Sequence, residues 1–221
     1  MVGFGALFDL ISPARCPGCN MAGVATVCRD CRAVFAAAPA PISPRVVVGV
    51  PVFSCGLYAH QRQHVVLAAK EHGNRAARNV MGAVLAAAVG RLAAQGEIPD
   101  PRVEPVVLIP APTRVWSARR RGGDPVAYAC TIAAAKHTDL KVVRAVKTTG
   151  GAIDSVGLSA DQRRRNLAGN IALTPAVSRA HHAHAILVDD VLTTGATVAE
   201  TSRVLRAAGV QVASALVFAH A

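Results

Sequence analysis

Two stretches of the sequence carry residues whose types and spacing suit chemistry. The first, residues 186–200, reads ILVDDVLTTGATVAE. An apolar run from Ile186 to Val188 ends in two adjacent carboxylates, Asp189 and Asp190. A short loop, Thr193-Thr194-Gly195-Ala196-Thr197, then opens a predicted helix. Hydroxyls, a glycine that permits a tight turn, and amides at a helix N-terminus are the ingredients of a phosphate cradle. Each charge-assisted hydrogen bond there contributes roughly 1.5–3 kcal/mol, so several make a tight monoester site. The acidic pair beside the loop would repel phosphate; neutral ribose hydroxyls or a divalent cation suit it. In open α/β sheets ligands gather beyond the carboxyl ends of strands, where this strand, loop and helix would put them. An Asp-Asp pair also arises structurally or as a magnesium site in phosphotransferases, but neither accounts for the TTGAT loop.

The second stretch holds four of the six cysteines: Cys16 and Cys19 in CPGC, then Cys28 and Cys31 in CRDC, the pairs separated by eight residues. Two Cys-x-x-Cys knuckles can close a tetrahedral zinc site with four thiolate ligands, and a site with no open position is structural rather than catalytic. Paired disulfides are the competing reading, but adjacent Cys-x-x-Cys pairs suit a metal better. Arg15, Arg29 and Arg32 would offset the charge of the thiolates. Cys55 and Cys130 fall outside the pattern and read as buried apolar residues.

The elements that must position these groups follow from hydrophobic patterning. Residues 46–53 (VVVGVPVF) read as a strand, with Tyr58 on its partner. Residues 62–71 read as a short helix ending at Gly73, and residues 76–95 as a longer one ending at Gly96. PVVLIP (105–110) has the continuous apolar character of a strand buried on both faces of a parallel sheet. Residues 125–136 read as a helix, 140–146, 170–173 and 183–188 as strands, 196–208 as a helix, and 210–218 as a closing strand. Strands alternating with helices indicate an α/β sheet with crossover connections. The Pro/Ala-rich stretch 36–44 reads as a linker, dividing the chain into residues 1–44, holding the cysteine knuckles, and residues 45–221.

At 221 residues, 52% hydrophobic and only 17% charged, the chain has the composition of a folded domain plus a small appendage. Its formal charge of +11 points to polyanions: nucleic acid, phosphorylated metabolites or an acidic membrane face. The excess is uneven. Residues 110–165 carry +7, whereas residues 166–221, which hold the cradle, are neutral. The cradle must therefore rely on backbone amides. A solvated face is the plainest reading of the basic block. The opening MVGFGALFDLI lacks a basic n-region and a small-residue cleavage site, and no run approaches the roughly 20 apolar residues of a membrane span; a cytoplasmic protein is expected.

The segment 186–200 resembles the fingerprint of type I phosphoribosyltransferases: hydrophobic residues, two acids, then V-x-T-T-G-A-T. The resemblance implies a site for 5-phosphoribosyl 1-diphosphate (PRPP). Asp189 and Asp190 would contact the ribose hydroxyls, and Thr193, Thr194, Gly195, Ala196 and Thr197 would wrap the 5-phosphate. Mg²⁺ would accompany the diphosphate. The strand end Pro110-Ala111-Pro112-Thr113-Arg114 resembles the family's diphosphate loop, which often adopts an unusual peptide geometry; this makes Ala111 a ligand contact and Arg114 a candidate catalytic residue. Arg119-Arg120-Arg121 followed by Gly122-Gly123 resembles the basic loop that closes over the site, with Arg121 a further PRPP contact, although a solvated or nucleic-acid patch explains three arginines equally well.

A four-cysteine domain ahead of such a domain is similar to the ComF family, associated with bacterial competence and DNA uptake. Tyr58, Lys70, Gly73, Gly157-Leu158, Arg163 and Asn166 also fit. The implied architecture is a type I phosphoribosyltransferase-like parallel sheet flanked by helices, preceded by a small zinc-knuckle domain. Gly123, Asp124, Pro125 and Asp154 depart from the family pattern. If the protein is an enzyme, a nucleophile displaces Mg-diphosphate from the anomeric carbon, with catalysis by positioning and charge stabilisation. Only about three residues follow the last predicted strand, so a hood selecting the acceptor is expected from residues 1–60 or from insertions, where nothing resembles a base pocket. Three roles therefore stand open: a phosphoribosyltransferase, a single-stranded DNA-binding accessory protein that retains the fold, and a regulator that binds PRPP without turnover. The expected partners are PRPP or another phosphoribosyl ligand, single-stranded DNA, DNA-uptake proteins, and a second copy in a homodimer. Against DNA binding, the basic block holds only Trp116 and Tyr128 as stacking residues.

Overall fold

A strand covered on both faces must send apolar side chains both ways, and the central strands do so. The computed structural model describes residues 14–24, 26–71, 73–112, 123–149 and 170–221. In chain order the elements are α1 (Arg29–Phe35), β1 (Ala40–Pro41), β2 (Val52–Ser54), α2 (His60–Glu71), α3 (Arg75–Ala94), β3 (Val106–Pro110), α4 (Pro125–Ala134), β4 (Leu140–Val142), β5 (Val146–Thr148), β6 (Ile171–Leu173), a 3-10 segment (Pro175–Ala180), β7 (His184–Leu192), α5 (Ala196–Ala207) and β8 (Val212–His220). Six strands form one sheet in the order β1-β2-β8-β7-β3-β4, all parallel except the short edge strand β1. The α/β architecture expected from the sequence is therefore present.

On one face Val106 and Leu108 of β3, Ile186 and Val188 of β7, and Leu216 and Phe218 of β8 pack with α2, α3 and α4. On the other, Val107, Ile109, Ala185, Leu187, Ala215 and Val217 meet α5 and the 3-10 segment. Cys55 and Cys130 are buried in the first of these layers, as their apolar reading requires. The knuckle segment joins the same layer through Cys16, Cys31 and Phe35, whose ring lies 6.4 Å from that of Phe218.

Local chemistry sets the helix ends. The Asn74 side chain accepts a hydrogen bond from the Ala77 amide at the start of α3. Asp124 does the same for Val126 and Ala127 at the start of α4, with Pro125 as the first helical residue. Asp124 and Pro125 thus act together as a capping signal.

Three expectations are corrected. The strand read over 46–53 is confined to Val52–Ser54: Val46 instead donates to the Thr194 carbonyl at 3.0 Å, and Gly49 sits at φ +78°. Tyr58 lies on no partner strand; it follows the bridge between Leu57 and His220 that prolongs β2 alongside β8. The strand read over 140–146 is two strands. The chain leaves the main sheet after Val142, and β5 pairs antiparallel with β6, because Thr174 binds the Arg144 carbonyl through its hydroxyl and the Ala145 carbonyl through its amide. Part of the 36–44 linker is itself ordered as β1, paired with Phe53 and Ser54.

Gly82 marks where α3 and α4 approach most tightly. A Cβ there would collide with the Ile132 side chain and come within 2.9 Å of the Ala129 carbonyl. Gly82→Ala is therefore expected to destabilise the protein by about 1–3 kcal/mol despite its better helix propensity. A melting temperature raised in thermal unfolding would show that the helices can separate at no cost.

Candidate functional site

β7 sits between β3 and β8; β3 ends at Pro110, level with Val188, whereas β7 runs on through both acids to Leu192, paired with β8 as far as His220. Val188 is in register with Pro110 and with Leu216, and Asp189 with Val217. The acidic pair therefore lies at the carboxyl end of the sheet, beside the Pro110-Ala111-Pro112 segment and ahead of the loop leading into α5. Ala111 is buried, and its amide donates to the Val188 carbonyl at 2.7 Å, so that amide is occupied within the sheet. Among the described residues no peptide bond is cis.

The two carboxylates are held differently. The Asp190 amide donates to Asp189 Oδ1 at 2.8 Å, and the Val191 amide donates to Asp190 Oδ1 at 2.7 Å. Asp190 is 5% exposed and receives Lys70 Nζ from α2 on both oxygens, at 2.8 Å each. Asp189 makes no salt bridge among the described residues. Burial, reinforced by the Asp190 charge and opposed by Lys70, pushes the Asp189 carboxyl up to about 7. Burial alone would lower the Lys70 ammonium, but Asp190, with Asp189 and Tyr58 behind it, raises it above the ordinary lysine value.

The loop after β7 has the form of a cradle. Gly195, the N-cap of α5, adopts φ +88° and offers no side chain to cap the helix. A Cβ at that position would meet Pro44 Cβ at 2.8 Å, so both the turn and the close approach of the 44–46 segment require glycine. Thr194 is buried; its Oγ1 accepts from the Ala196 amide at 3.3 Å and its carbonyl from Val46. Thr193 is exposed and Thr197 partly so. The structure thus brings together Asp189, Asp190, Thr193, Thr194, Gly195, Ala196, Thr197 and Ala111. Arg114, Trp116, Arg119, Arg120, Arg121 and Gly122, and likewise Asp154, Gly157, Leu158, Arg163 and Asn166, lie outside the described residues. Lys70 is the residue whose role sequence reasoning missed. A buried acidic pair in a neutral C-terminal segment requires a cation from elsewhere, which is the clue that could have found it.

The second cluster is the knuckle. The Sγ atoms of Cys16, Cys19, Cys28 and Cys31 lie within 4.8 Å of one another, and Cys19 and Cys28 are 3.7 Å apart. A tetrahedral ion with bonds of about 2.3 Å needs sulfurs separated by roughly 3.8 Å, so the four can hold one zinc ion. Burial would raise the Cys16 thiol, yet the amides of Cys28, Cys19 and Gly18 bring it down to about 6. Burial and the neighbouring sulfurs push Cys31 up. The Cys16 thiolate forms readily while Cys31 resists, and a bound cation removes that resistance. Among the described residues no helix is long and apolar enough to cross a membrane.

Comparison of the sequence with protein-family models and with curated proteins found no match.

Two outcomes are expected. The purified protein carries one zinc per chain, lost in Cys31→Ser and on chelation with a fall in melting temperature; metal analysis and thermal melts check this. The second concerns Asp189. Because its folded-state pKa lies above the ordinary 3.8, its stabilising contribution is present below that value and is lost as pH rises through about 7. Asp189→Asn should therefore melt above wild type at pH 8, on the order of 2–4 °C, with the gain fading towards pH 5.

Proposed function

We propose that the protein is a ComF-type, phosphoribosyltransferase-like protein whose carboxyl-end site binds PRPP. The observation that carries this reading is the juxtaposition, within residues 189–197, of a carboxylate pair and a glycine-opened helix N-terminus. Hydroxyls of a ribose donate to carboxylates; a phosphate monoester accepts from amides and hydroxyls. A 5-phosphoribosyl group carries both functions on one small ring. The ribose would rest on Asp189 and Asp190, and the 5-phosphate on residues 193–197. The diphosphate, with its Mg²⁺, would face the segment after Pro110, where Arg114 and Arg121 follow in sequence. Zinc held by the four cysteines is structural in this reading, since all four protein ligands are thiolates.

Transfer would proceed by nucleophilic displacement at the anomeric carbon, with the C–O bond to diphosphate breaking as the new bond forms. The chain's contribution is to fix the ribose and to offset the departing charge. The single-stranded DNA reading, linked to competence, rests on the +7 block of residues 110–165. Tyr128, one of its two stacking candidates, lies under the Arg78 guanidinium at 5.9 Å and donates its hydroxyl hydrogen to Asn79 Oδ1 at 3.3 Å.

Calorimetry with PRPP and Mg²⁺ tests the reading. Wild type is expected to bind, and the Asp189→Asn/Asp190→Asn variant to bind at least tenfold more weakly, the loss of one or more charge-assisted hydrogen bonds. No binding by wild type overturns the proposal. Diphosphate release in the presence of candidate bases and amines separates a transferase from a sensor. Retention of single-stranded DNA that is lost when Arg119, Arg120 and Arg121 become alanine, in a wild type that ignores PRPP, establishes the accessory role instead.

A further inference from the structure

We infer that Lys70 is a positioning residue of the acidic pair: by gripping Asp190 through both carboxylate oxygens it makes the two acids unequal, leaving Asp189 as the principal acceptor for a ribose hydroxyl. This rests on the phosphoribosyl reading of the site and deepens it.

The hydrogen-bond inventory carries the inference. Asp190 Oδ1 accepts from both the Val191 amide and Lys70, and Oδ2 accepts from Lys70. Three contacts on a side chain only 7% exposed leave it little capacity for a ligand. Asp189 has Oδ1 on the Asp190 amide, with its second oxygen outside that contact. Asp189 is also the more exposed of the two. The amide that orients Asp189 belongs to Asp190, so whatever fixes Asp190 also fixes its neighbour.

Lys70 is itself held in place from both ends of its helix. At the far end the Arg62 guanidinium donates to the Val34 carbonyl at 3.0 Å and lies 5.8 Å from the centre of the Phe35 ring, while His64 Nδ1 is 3.3 Å from the Pro17 carbonyl. Both contacts reach into the cysteine-knuckle segment. At the near end the Ala68 carbonyl accepts from the Asn74 amide and the Ala69 carbonyl from Arg78 Nε. The backbone on the N-terminal side of Lys70 is thereby fixed, and the ammonium projects from a braced helix end. Its side chain remains 33% exposed, so it stands at the edge of the site rather than sealed beneath it. Without it, Asp190 would be a buried, uncompensated carboxylate that either takes up a proton or swings away, and Asp189 would lose its orienting neighbour.

The test compares Lys70→Met and Lys70→Arg with wild type, using zinc content and melting temperature to establish that each is folded. In ligand-free protein the carboxyl carbon resonance of Asp190 should move in Lys70→Met and stay close to wild type in Lys70→Arg. Calorimetry with PRPP and Mg²⁺ should show affinity reduced about tenfold or more in Lys70→Met and largely restored in Lys70→Arg. In an Asp190→Asn background the Lys70→Met loss should shrink, since the partner is gone. If Lys70→Met fails to fold, Lys70→Gln takes its place with the same expectations. Wild-type affinity together with an unmoved Asp190 resonance overturns the inference. If wild type does not bind PRPP at all, the functional reading falls, while the resonance still decides the role of Lys70.

Discussion

Two carboxylates on consecutive residues of a central, buried strand repel one another, and burial pushes the Asp189 carboxyl up. The fold answers with Lys70, delivered from a helix 120 residues away in sequence and bound to Asp190 on both oxygens. Much of the surrounding structure follows from that ion pair. The helix ends at Glu71, short of Gly73 at φ +58°, and this puts Lys70 in its last turn. Its opposite end must be held, which Arg62 and His64 accomplish against the knuckle segment. Asp189, which makes no salt bridge among the described residues, is left with a carboxyl pushed up to about 7 and a second oxygen outside its contact with the Asp190 amide.

This arrangement gives the cysteine segment a place in the architecture beyond holding an ion. Cys16, Cys31 and Phe35 share a core layer with the sheet and with α2 and α3. A zinc ion there would fix the loop carrying Pro17 and the helix carrying Val34 and Phe35. Those are the groups that α2 touches, so the cysteine cluster and the acidic pair are connected through one twelve-residue helix.

The central strands were legible because burial on both faces leaves a continuous apolar run, as in residues 106–109 and 185–188. The four-cysteine cluster was legible because its geometry is local: knuckle spacing alone brings the sulfurs together. The loop and helix of residues 193–207 were legible for the same reason, but the strand read as ending at Val188 runs on through Asp189 and Asp190 to Leu192, where β8 keeps pairing with it. What the sequence concealed depends on distant partners. Val46 to Val50 looks like strand, but Val46 is drawn to Thr194 and Gly49 turns the chain. Residues 140–146 look continuous, but Thr174 captures the carbonyls of Arg144 and Ala145. Lys70 stood out only as part of a family resemblance; its partner, Asp190, becomes visible only when β7 is set beside it. The pattern departure at Asp124-Pro125 proved to be a helix cap, a role visible in the sequence as Asp followed by Pro ahead of an apolar run.

The central claim is that the acidic pair reads ribose hydroxyls while the adjoining loop holds the 5-phosphate. Comparing ribose 5-phosphate with 2-deoxyribose 5-phosphate by calorimetry addresses it directly, since the two differ by one hydroxyl and share the phosphate. Loss of a hydrogen bond to a carboxylate should weaken the deoxy sugar about tenfold or more, and that gap should close in Asp189→Asn. Equal affinity of the two sugars for wild-type protein would contradict the account.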